Sequence, residues 1–441
     1  MTAISKPHGL AAIARHIYFK TLEEVNLASI IKDKIKLQGG SIIIAGEATS
    51  LDLFSEIVLI SIGKASIAMA EAVESLLGDR ITRGVVVTDR MRKAALKSEV
   101  IIAGHPLPNE ESLIAGKRVM DLVSSCDKRA LIIFAISGGG SALVEWPILP
   151  EISLKDIRKL NQVLIEGGAS IRDINIIRKS LSAIKGGRLG YLARNLRKIT
   201  LFASDVNPGD LESISSNPVL PESLSKEDIL EKLEGYNTGS TLHTLLSEII
   251  SDRVLERLPQ QWREVGGNSI VLLSDNRDVI RAAAKQAADL ECVVETDATN
   301  AEGDYKGIVE LMVDRLRQLL AGHKGSTVCL ISGGEASCVV RGAGFGGRNH
   351  EFALYAAMKL NDCFSKWAVL SCGTDGIDGN SNASGAVLDS LALQECESPG
   401  HDASQFLSIS DSGSLVNRLG GQIVTGPTGN NLRDIRVFLA Q

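Results

Sequence analysis

The run Leu131–Val144, Leu-Ile-Ile-Phe-Ala-Ile-Ser-Gly-Gly-Gly-Ser-Ala-Leu-Val, narrows the folds open to this chain more than any other stretch. Six apolar residues with β-branched members read as a buried strand, and the run then breaks at Ser137-Gly138-Gly139-Gly140-Ser141. Three adjacent glycines lose a good deal of backbone freedom on folding, so a plain loop has little reason to hold them. What they permit is a bend whose amides converge on one concavity, with two hydroxyls beside it. Such a nest suits phosphate or carboxylate oxygens. The idea recurs at Thr327–Cys338, where Val-Cys-Leu-Ile runs into Ser332-Gly333-Gly334-Glu335-Ala336-Ser337. The pair predicts two α/β units, one in each half, facing a shared anionic ligand. Two ordinary strand-to-helix turns are the plainer alternative.

A chain of 441 residues is too long for one core and suits two domains. Its apolar residues come in short runs, none near the roughly 18 of a membrane span, and the first residues lack the apolar core of an export signal. A net charge of −6 and the lack of a basic-aromatic stripe exclude nucleic acid as a partner, so positive charge must be concentrated locally to hold an anionic small molecule. The seven cysteines form no CxxC pair, and several lie within apolar runs. That usage fits a reduced cytoplasm rather than zinc or disulfides.

In chain order, the stretch from Gly9 to about Leu37 has helical spacing, and Ile57–Gly63 has a buried-strand signature followed by Lys64 and an Ala-rich helix to about Leu77. An ammonium at a helix N-terminus opposes the macrodipole, so Lys64 is expected to reach for an anionic ligand; a solvated lysine is the alternative. His105, in the loop Gly104–Asn109, reads equally as a base or ligand and as a residue that fixes loop geometry. Two helical patterns, Ser153–Glu166 and Ser170–Ile184, lead to Lys185-Gly-Gly-Arg188, and with Arg178 and Lys179 these make the most basic local cluster. It is either an anion site or a solvated face. Strand Ile199–Ala203 ends at Ser204-Asp205, where ligands gather in open α/β sheets. Asp205 and Asp210 are therefore candidates for Mg²⁺ or for base work. The charged stretch from Pro221 to about Trp262 holds the interdomain connection. Beyond it, strand and helix patterns alternate to the Arg341–Glu351 loop, a helix to about Leu360, and strand Ala368–Ser371 ending near Asp375. This alternation predicts parallel sheets covered on both faces.

Gly342, Gly344 and Gly347 spell GxGxxG, but the acidic residue expected about 20 positions on is missing, so the dinucleotide signal is weak. Neither Gly63-Lys64 nor Gly116-Lys117 completes a Walker A sequence. What the residues do supply is a phosphoryl-transfer kit: Gly-rich nests, a helix-start lysine, Arg348 in a Gly-rich turn, and strand-end aspartates. That transition state spreads charge over oxygens, so positioning and cations carry most of its catalysis. Ser137 and Ser141 lack the elbow sequence of a nucleophilic serine.

Several motifs, taken together and in order, resemble the class II glycerate kinases. These are the glycerate 2-kinase family, with a Rossmann-like N-terminal domain and a C-terminal MOFRL domain, some members of which are labelled hydroxypyruvate reductases. The motifs are Ser61-Ile-Gly-Lys64-Ala, Gly104-His-Pro-Leu-Pro-Asn109, Ile136-Ser-Gly-Gly-Gly-Ser-Ala-Leu143, Lys185-Gly-Gly-Arg188, Ser204-Asp-Val206, Gly346-Gly-Arg-Asn-His-Glu351, Gly373-Thr-Asp-Gly376 and Gly426-Pro-Thr428. The resemblance implies a three-layer α/β/α domain with a parallel sheet over residues 1–250 and an α/β MOFRL domain over 251–441, with the active site in the cleft between them. It implies ATP- and Mg²⁺-dependent phosphorylation of D-glycerate at the 2-hydroxyl, with Lys64 and Arg348 central; the strand-end Asp205 and Asp375 complete the catalytic candidates and are also the candidate metal ligands, with either one open to act as base. Ser137, Gly138, Gly139, Gly140, Ser141, Lys185, Arg188, Gly333, Gly334, Glu335, Gly346, Gly347 and Asn349 would bind substrate or phosphate. It leaves a homodimer open. The chain departs from the family pattern at Ser180 (usually His), at Asn217 (usually Gly), at Asn430-Asn431-Leu432 (usually Thr-Asn-Val), and in an extra Asn207. A related sugar-acid kinase, an NAD(P)H-dependent hydroxypyruvate reductase and a non-catalytic sensor are the alternatives.

Overall fold

The computed structural model describes residues 8–92, 94–166, 171–222, 264–297, 301–394 and 402–441, with Ile229, Glu231 and Thr299. Two compact units emerge, Leu27–Leu273 and a second made of Met1–Asn26 with Ser274–Gln441. This differs from a division at 250/251, a point that lies outside the described residues, as does nearly all of the charged stretch expected to connect the domains. The first helix, α1 (Leu10–Glu24), belongs with the C-terminal half because its buried face, Ala14, Ile17, Tyr18 and Thr21, packs there.

In the Leu27–Leu273 unit, α2 (Leu27–Lys34) gives way to a three-stranded antiparallel sheet, β1 (Ile35–Gln38), β2 (Ser41–Ile44) and β3 (Glu47–Ser50). Helical spacing does not run on to Leu37 as expected. Gly39 and Gly40 both take positive φ (57° and 76°) and turn the chain into a hairpin, the geometry two-residue loops favour. The main sheet follows: β4 (Glu56–Ile62), α3 (Ser66–Leu77), β5 (Arg83–Thr88), β6 (Glu99–Ile102), α4 (Glu110–Ser124), β7 (Ala130–Ser137), α5 (Gly140–Leu143), α6 (Leu154–Glu166), α7 (Ile171–Leu181), α8 (Arg188–Leu192), β8 (Arg197–Ala203) and β9 (Asn268–Ser274). Their order is β6-β5-β4-β7-β8-β9. The pairs β4–β5, β5–β6, β4–β7 and β7–β8 are parallel. All eight residues of β7 are buried, which is why its sequence is a continuous apolar run rather than an alternating one. Register places Ile62 opposite Ile136 and Ser137 opposite Ala203, so Lys64, the Gly138–Gly140 turn and Asp205 all leave the same carboxyl edge of the sheet.

The second unit continues with α9 (Asn276–Asp289), β10 (Val293–Asp297), β11 (Glu302–Asp304), α10 (Tyr305–Gly322), β12 (Val328–Ser337), α11 (Arg348–Asn361), β13 (Trp367–Gly373), β14 (Gly385–Asp389), β15 (Gln422–Ile423) and β16 (Asp434–Ala440). Its sheet is mixed rather than parallel. In the order β10-β12-β16-β13-β14-β15, β10 and β12 are parallel, while β12–β16, β16–β13 and β13–β14 are antiparallel. The C-terminal strand, whose residues 434–440 are buried throughout, fills the centre of the sheet antiparallel to both neighbours, and β14 adds a further antiparallel pairing. The second Ser-Gly-Gly is consequently no turn. Gly333 and Gly334 lie within β12 and pair with Ile435 and Asp434, and a Cβ on Gly333 would sit 1.8 Å from Asn276 Oδ1. That glycine admits the start of α9, not a ligand.

Candidate active site

The carboxyl edge of the parallel sheet is knit together through the first glycine turn. Lys64 N donates to Gly138 O at 2.9 Å, and Ala65 N donates to Ser137 Oγ at 3.0 Å. Gly140 N donates to Ser215 Oγ at 3.0 Å, while that hydroxyl donates to Ser137 O at 2.6 Å. Ser141 and Ser216 share a hydrogen bond of 2.7 Å between their hydroxyls. Ser137 and Gly140 are thus engaged by the protein itself. Gly139 is the residue whose surroundings are side chains with chemistry, Lys64 and His105.

The segment that braces this turn is bent unusually. Ser215, Ser216 and Asn217 take φ of 52°, 56° and 50° in succession, a conformation that costs roughly 1–2 kcal/mol per residue for an L-amino acid. Side-chain bonds offset it. Ser215 holds the turn, Ser216 donates to Asn175 Oδ1, and Asn217 both donates to Leu220 O and accepts from Leu220 N. Asn217, where the resemblance leads to an expectation of glycine, keeps the left-handed geometry because asparagine tolerates it better than most residues. Ser180 is buried with its hydroxyl donating to Ile177 O.

The basic cluster is not an anion site. Lys185 is buried and paired with Glu145. Burial lowers its pKa, and Glu145 opposes that shift. Arg188, also buried, donates through Nη1 to the carbonyls of Lys179, Ser182 and Lys185; burial brings its pKa down to about 10 against the pull of Glu222 and Glu145. Lys179 pairs with Glu222 at 2.6 Å, and Arg178 donates to Asn161 Oδ1 at 2.5 Å. Lys185 and Arg188 are therefore corrected from ligand contacts to internal braces. Asp205 follows β8 and is half-buried, while Asp210 is exposed and accepts from Ser213 Oγ.

In the other unit the charges converge on Asp434, the first residue of β16, which is fully buried. Arg348, opening α11, grips it with Nε at 2.8 Å and Nη2 at 2.9 Å, and its Nη1 lies 2.7 Å from Glu335 Oε1. Burial works against the Arg348 charge, but Asp434 and then Glu335 outweigh it and raise the pKa. Burial likewise works against the Asp434 carboxylate, and Arg348 outweighs it, holding its pKa below the usual range. Asp434 and Asp378, the carboxylates bonded to Arg348 and Asn349, are residues that sequence reasoning did not place among the candidates. The start of an apolar, β-branched run at Ile435 was the available signal for the first.

Asn349 is not open to a ligand. It is buried, accepts from Ser371 Oγ at 2.6 Å, and donates to Asp434 Oδ1 at 3.1 Å. The N-terminus of α11 is already filled by a carboxylate, since Asn349 N and His350 N donate to the Asp378 oxygens at 3.0 and 2.9 Å. Gly346 N donates to Asn380 Oδ1, and a Cβ on Gly347 would lie 2.5 Å from Asp378 Oδ1. Gly344 likewise sits close to Ser410 O, 2.3 Å from where its Cβ would be. The GxGxxG string thus allows loops to pack backbone to backbone, and no pyrophosphate can take the helix terminus that a dinucleotide fingerprint supplies. Asp375 lies in the loop after β13, where its Oδ1 accepts from Ile377 N. Among the described residues, no group of three or more His, Cys, Asp or Glu could hold a metal.

A domain of unknown function, DUF4147, matches residues 13–251, more than half of the chain, and the MOFRL family matches residues 328–434. A D-glycerate 2-kinase of Thermotoga maritima is 31% identical over 98% of this chain and 99% of its own length. The chain belongs to the DUF4147–MOFRL glycerate 2-kinase family. A second member of that family, a glycerate 2-kinase of Pyrococcus horikoshii, is 31% identical over 94% of this chain and 92% of its own. A putative hydroxypyruvate reductase of Agrobacterium vitis is 34% identical over 87% and 86%. The crystal structure of a Thermotoga maritima glycerate kinase covers 98% of this chain and 99% of its own with a TM-score of 0.82. In this glycerate 2-kinase family member the two-domain α/β architecture is as the resemblance implied, with Lys64 and Arg348 each placed by a strand end or helix start.

Proposed function

We propose that this protein transfers the γ-phosphoryl group of ATP to D-glycerate, at the 2-hydroxyl, giving 2-phosphoglycerate and ADP. The observation that carries the reading is Lys64 seated against the Gly139 turn, at the sheet edge where α/β proteins bind ligands. An ammonium there neutralises transferred phosphate or the substrate carboxylate, and Gly139, with φ of 90°, lets oxygens approach the backbone closely. Arg348 is held rigid from behind by the bidentate Asp434 contact, and Glu335 on its other side is a partner that an incoming anion displaces. Asp205 and Asp375 each offer a single carboxylate. Either one alone suits Mg²⁺ arriving on the nucleotide, which needs as little as one carboxylate besides phosphate oxygens, rather than a cage built by the protein. Bound in this way, the ion would offset charge on the β- and γ-phosphate oxygens.

The filled N-terminus of α11 argues against nicotinamide chemistry. No helix among the described residues is long and apolar enough to cross a membrane. We place the enzyme in the cytoplasm on its cysteine usage, with a small-molecule substrate and a homodimer compatible with the reading. The test is ADP formation from ATP and Mg²⁺ with and without D-glycerate, beside NAD(P)H oxidation with hydroxypyruvate. ADP only with glycerate is expected, and phosphorus NMR should show the 2-phospho isomer. Nicotinamide oxidation without ADP would overturn the kinase reading.

A further inference from the structure

Gly139 is bordered by two side chains from different loops. A Cβ placed on it would lie 3.1 Å from Lys64 Cγ, 3.4 Å from His105 Cδ2 and 3.5 Å from His105 Nε2. The ε edge of the imidazole therefore faces the same turn as the lysine stem, and His105 as a residue stays open to solvent, where a substrate can reach it.

The loop that carries His105 is pinned along its length. Gly104 N donates to Asn109 Oδ1 at 2.7 Å, and Asn109 with Ser112 forms a reciprocal cap on α4. Arg158, on α6, donates through Nε to Pro108 O at 2.6 Å. Such support is what holds a contact group to the tolerance that catalysis needs.

The charged groups that act on the ring are Lys64, Arg90 and Arg178, with Asp89 as the one carboxylate among them. Asp89 is itself paired with Arg90 at 2.6 Å. Loss of hydration at the inward edge and then the Lys64 ammonium lower the His105 pKa to about 4; Arg90 and Arg178 add to this and Asp89 opposes it. At neutral pH the ring is uncharged, and one of its nitrogens is an acceptor among cations.

We propose that His105 is a catalytic residue of the phosphoryl transfer, its Nε2 accepting a hydrogen bond from the acceptor hydroxyl and aiming that oxygen at the phosphorus while Lys64 holds the adjacent negative charge. The inference rests on the kinase reading. In the step, the hydroxyl oxygen forms its bond to the γ-phosphorus as the bond from that phosphorus to the β–γ bridging oxygen breaks. ADP leaves with that electron pair, and the hydroxyl proton passes along the hydrogen bond to Nε2 and on to water. A nitrogen this weakly basic is a poor store for a proton, so orientation is its main contribution, which suits a transition state that asks little of a base.

The test compares His105→Gln, His105→Leu and His105→Ala in steady-state ADP formation, with melting temperatures measured alongside. Glutamine carries an oxygen where Nε2 lies, and leucine fills space without an acceptor. His105→Ala and His105→Leu are expected to lose about 10²-fold or more in kcat with D-glycerate, the range for a positioned proton acceptor. KM for ATP should not move, and His105→Gln should regain about tenfold over His105→Leu. Equal activity of the glutamine and leucine variants, or a leucine variant as active as the wild type, would overturn the proposal while leaving the kinase reading in place. If the wild-type protein makes no ADP with D-glycerate, both fall together. Should His105→Ala fail to fold, the contrast between glutamine and leucine decides the matter.

Discussion

Lys64 and Arg348 carry the same charge in opposite settings, and the difference sets what each substitution should do. Arg348 is tied to a fully buried carboxylate, so removing it disturbs the protein as well as any ligand. Lys64 sits half-exposed at a strand end, where its backbone N–H donates to Gly138 O. Lys64→Ala is expected to lower kcat/KM for D-glycerate by about 10²–10³-fold, the usual loss when one fixed stabiliser of a transition-state oxyanion is removed, with the melting temperature unchanged. Steady-state kinetics beside a thermal melt checks this, and a large drop in melting temperature would recast Lys64 as structural. Lys185 and Arg188 show why charge in a sequence is ambiguous. Both read as anion ligands, yet both are buried on internal partners.

Among the elements, β16 does most to define the C-terminal unit. It runs antiparallel between β12 and β13 and brings Asp434 to the start of α11, between Arg348 and Arg436. Arg436 is wholly buried, donates to Gly333 O and stacks over Phe352. One buried and one half-buried guanidinium group thus depend on one carboxylate. Asp434→Asn should therefore cost about 3–5 kcal/mol, the range for breaking a buried ion pair from one side, read from the urea midpoint. The sign of the pH effect follows from the depressed folded pKa. The carboxylate's contribution is complete above its unfolded value of about 3.9 and is lost as pH falls through the lower folded value. Stability of the wild type should drop across that acid window, and Asp434→Asn should flatten the drop. An unchanged acid limb in the variant would mean that other carboxylates control it.

For the molecule as a whole, the chain order of the two units is not the order of the sequence. Helix α1 lies at the start of the chain yet packs with the C-terminal half, where Tyr18 OH donates to Gly373 O at 2.8 Å and Arg15 donates to the carbonyls of Gly420 and Gln422. Tyr18→Ala should destabilise that unit by about 3–5 kcal/mol, as for other large aromatic truncations in a core, detected as faster proteolysis within residues 274–441. Cleavage confined to residues 27–273 would contradict this placement. The main parallel sheet and its loops were legible in the sequence because its central strands β4, β7 and β8 are buried on both faces, so an apolar run ending in Gly, Lys or Asp marks a strand and its ligand-bearing edge. The hairpin after α2 was hidden by its mixed spacing, and the continuity of β12 by glycines that resemble a turn. Sequence alone determined the α/β class, the Lys64–Gly139 edge and the family, since these depend on local pattern. Only the tertiary structure decided which cations are tied to a carboxylate, because burial and partners come from segments far apart along the chain, as Asp434 and Arg348 are.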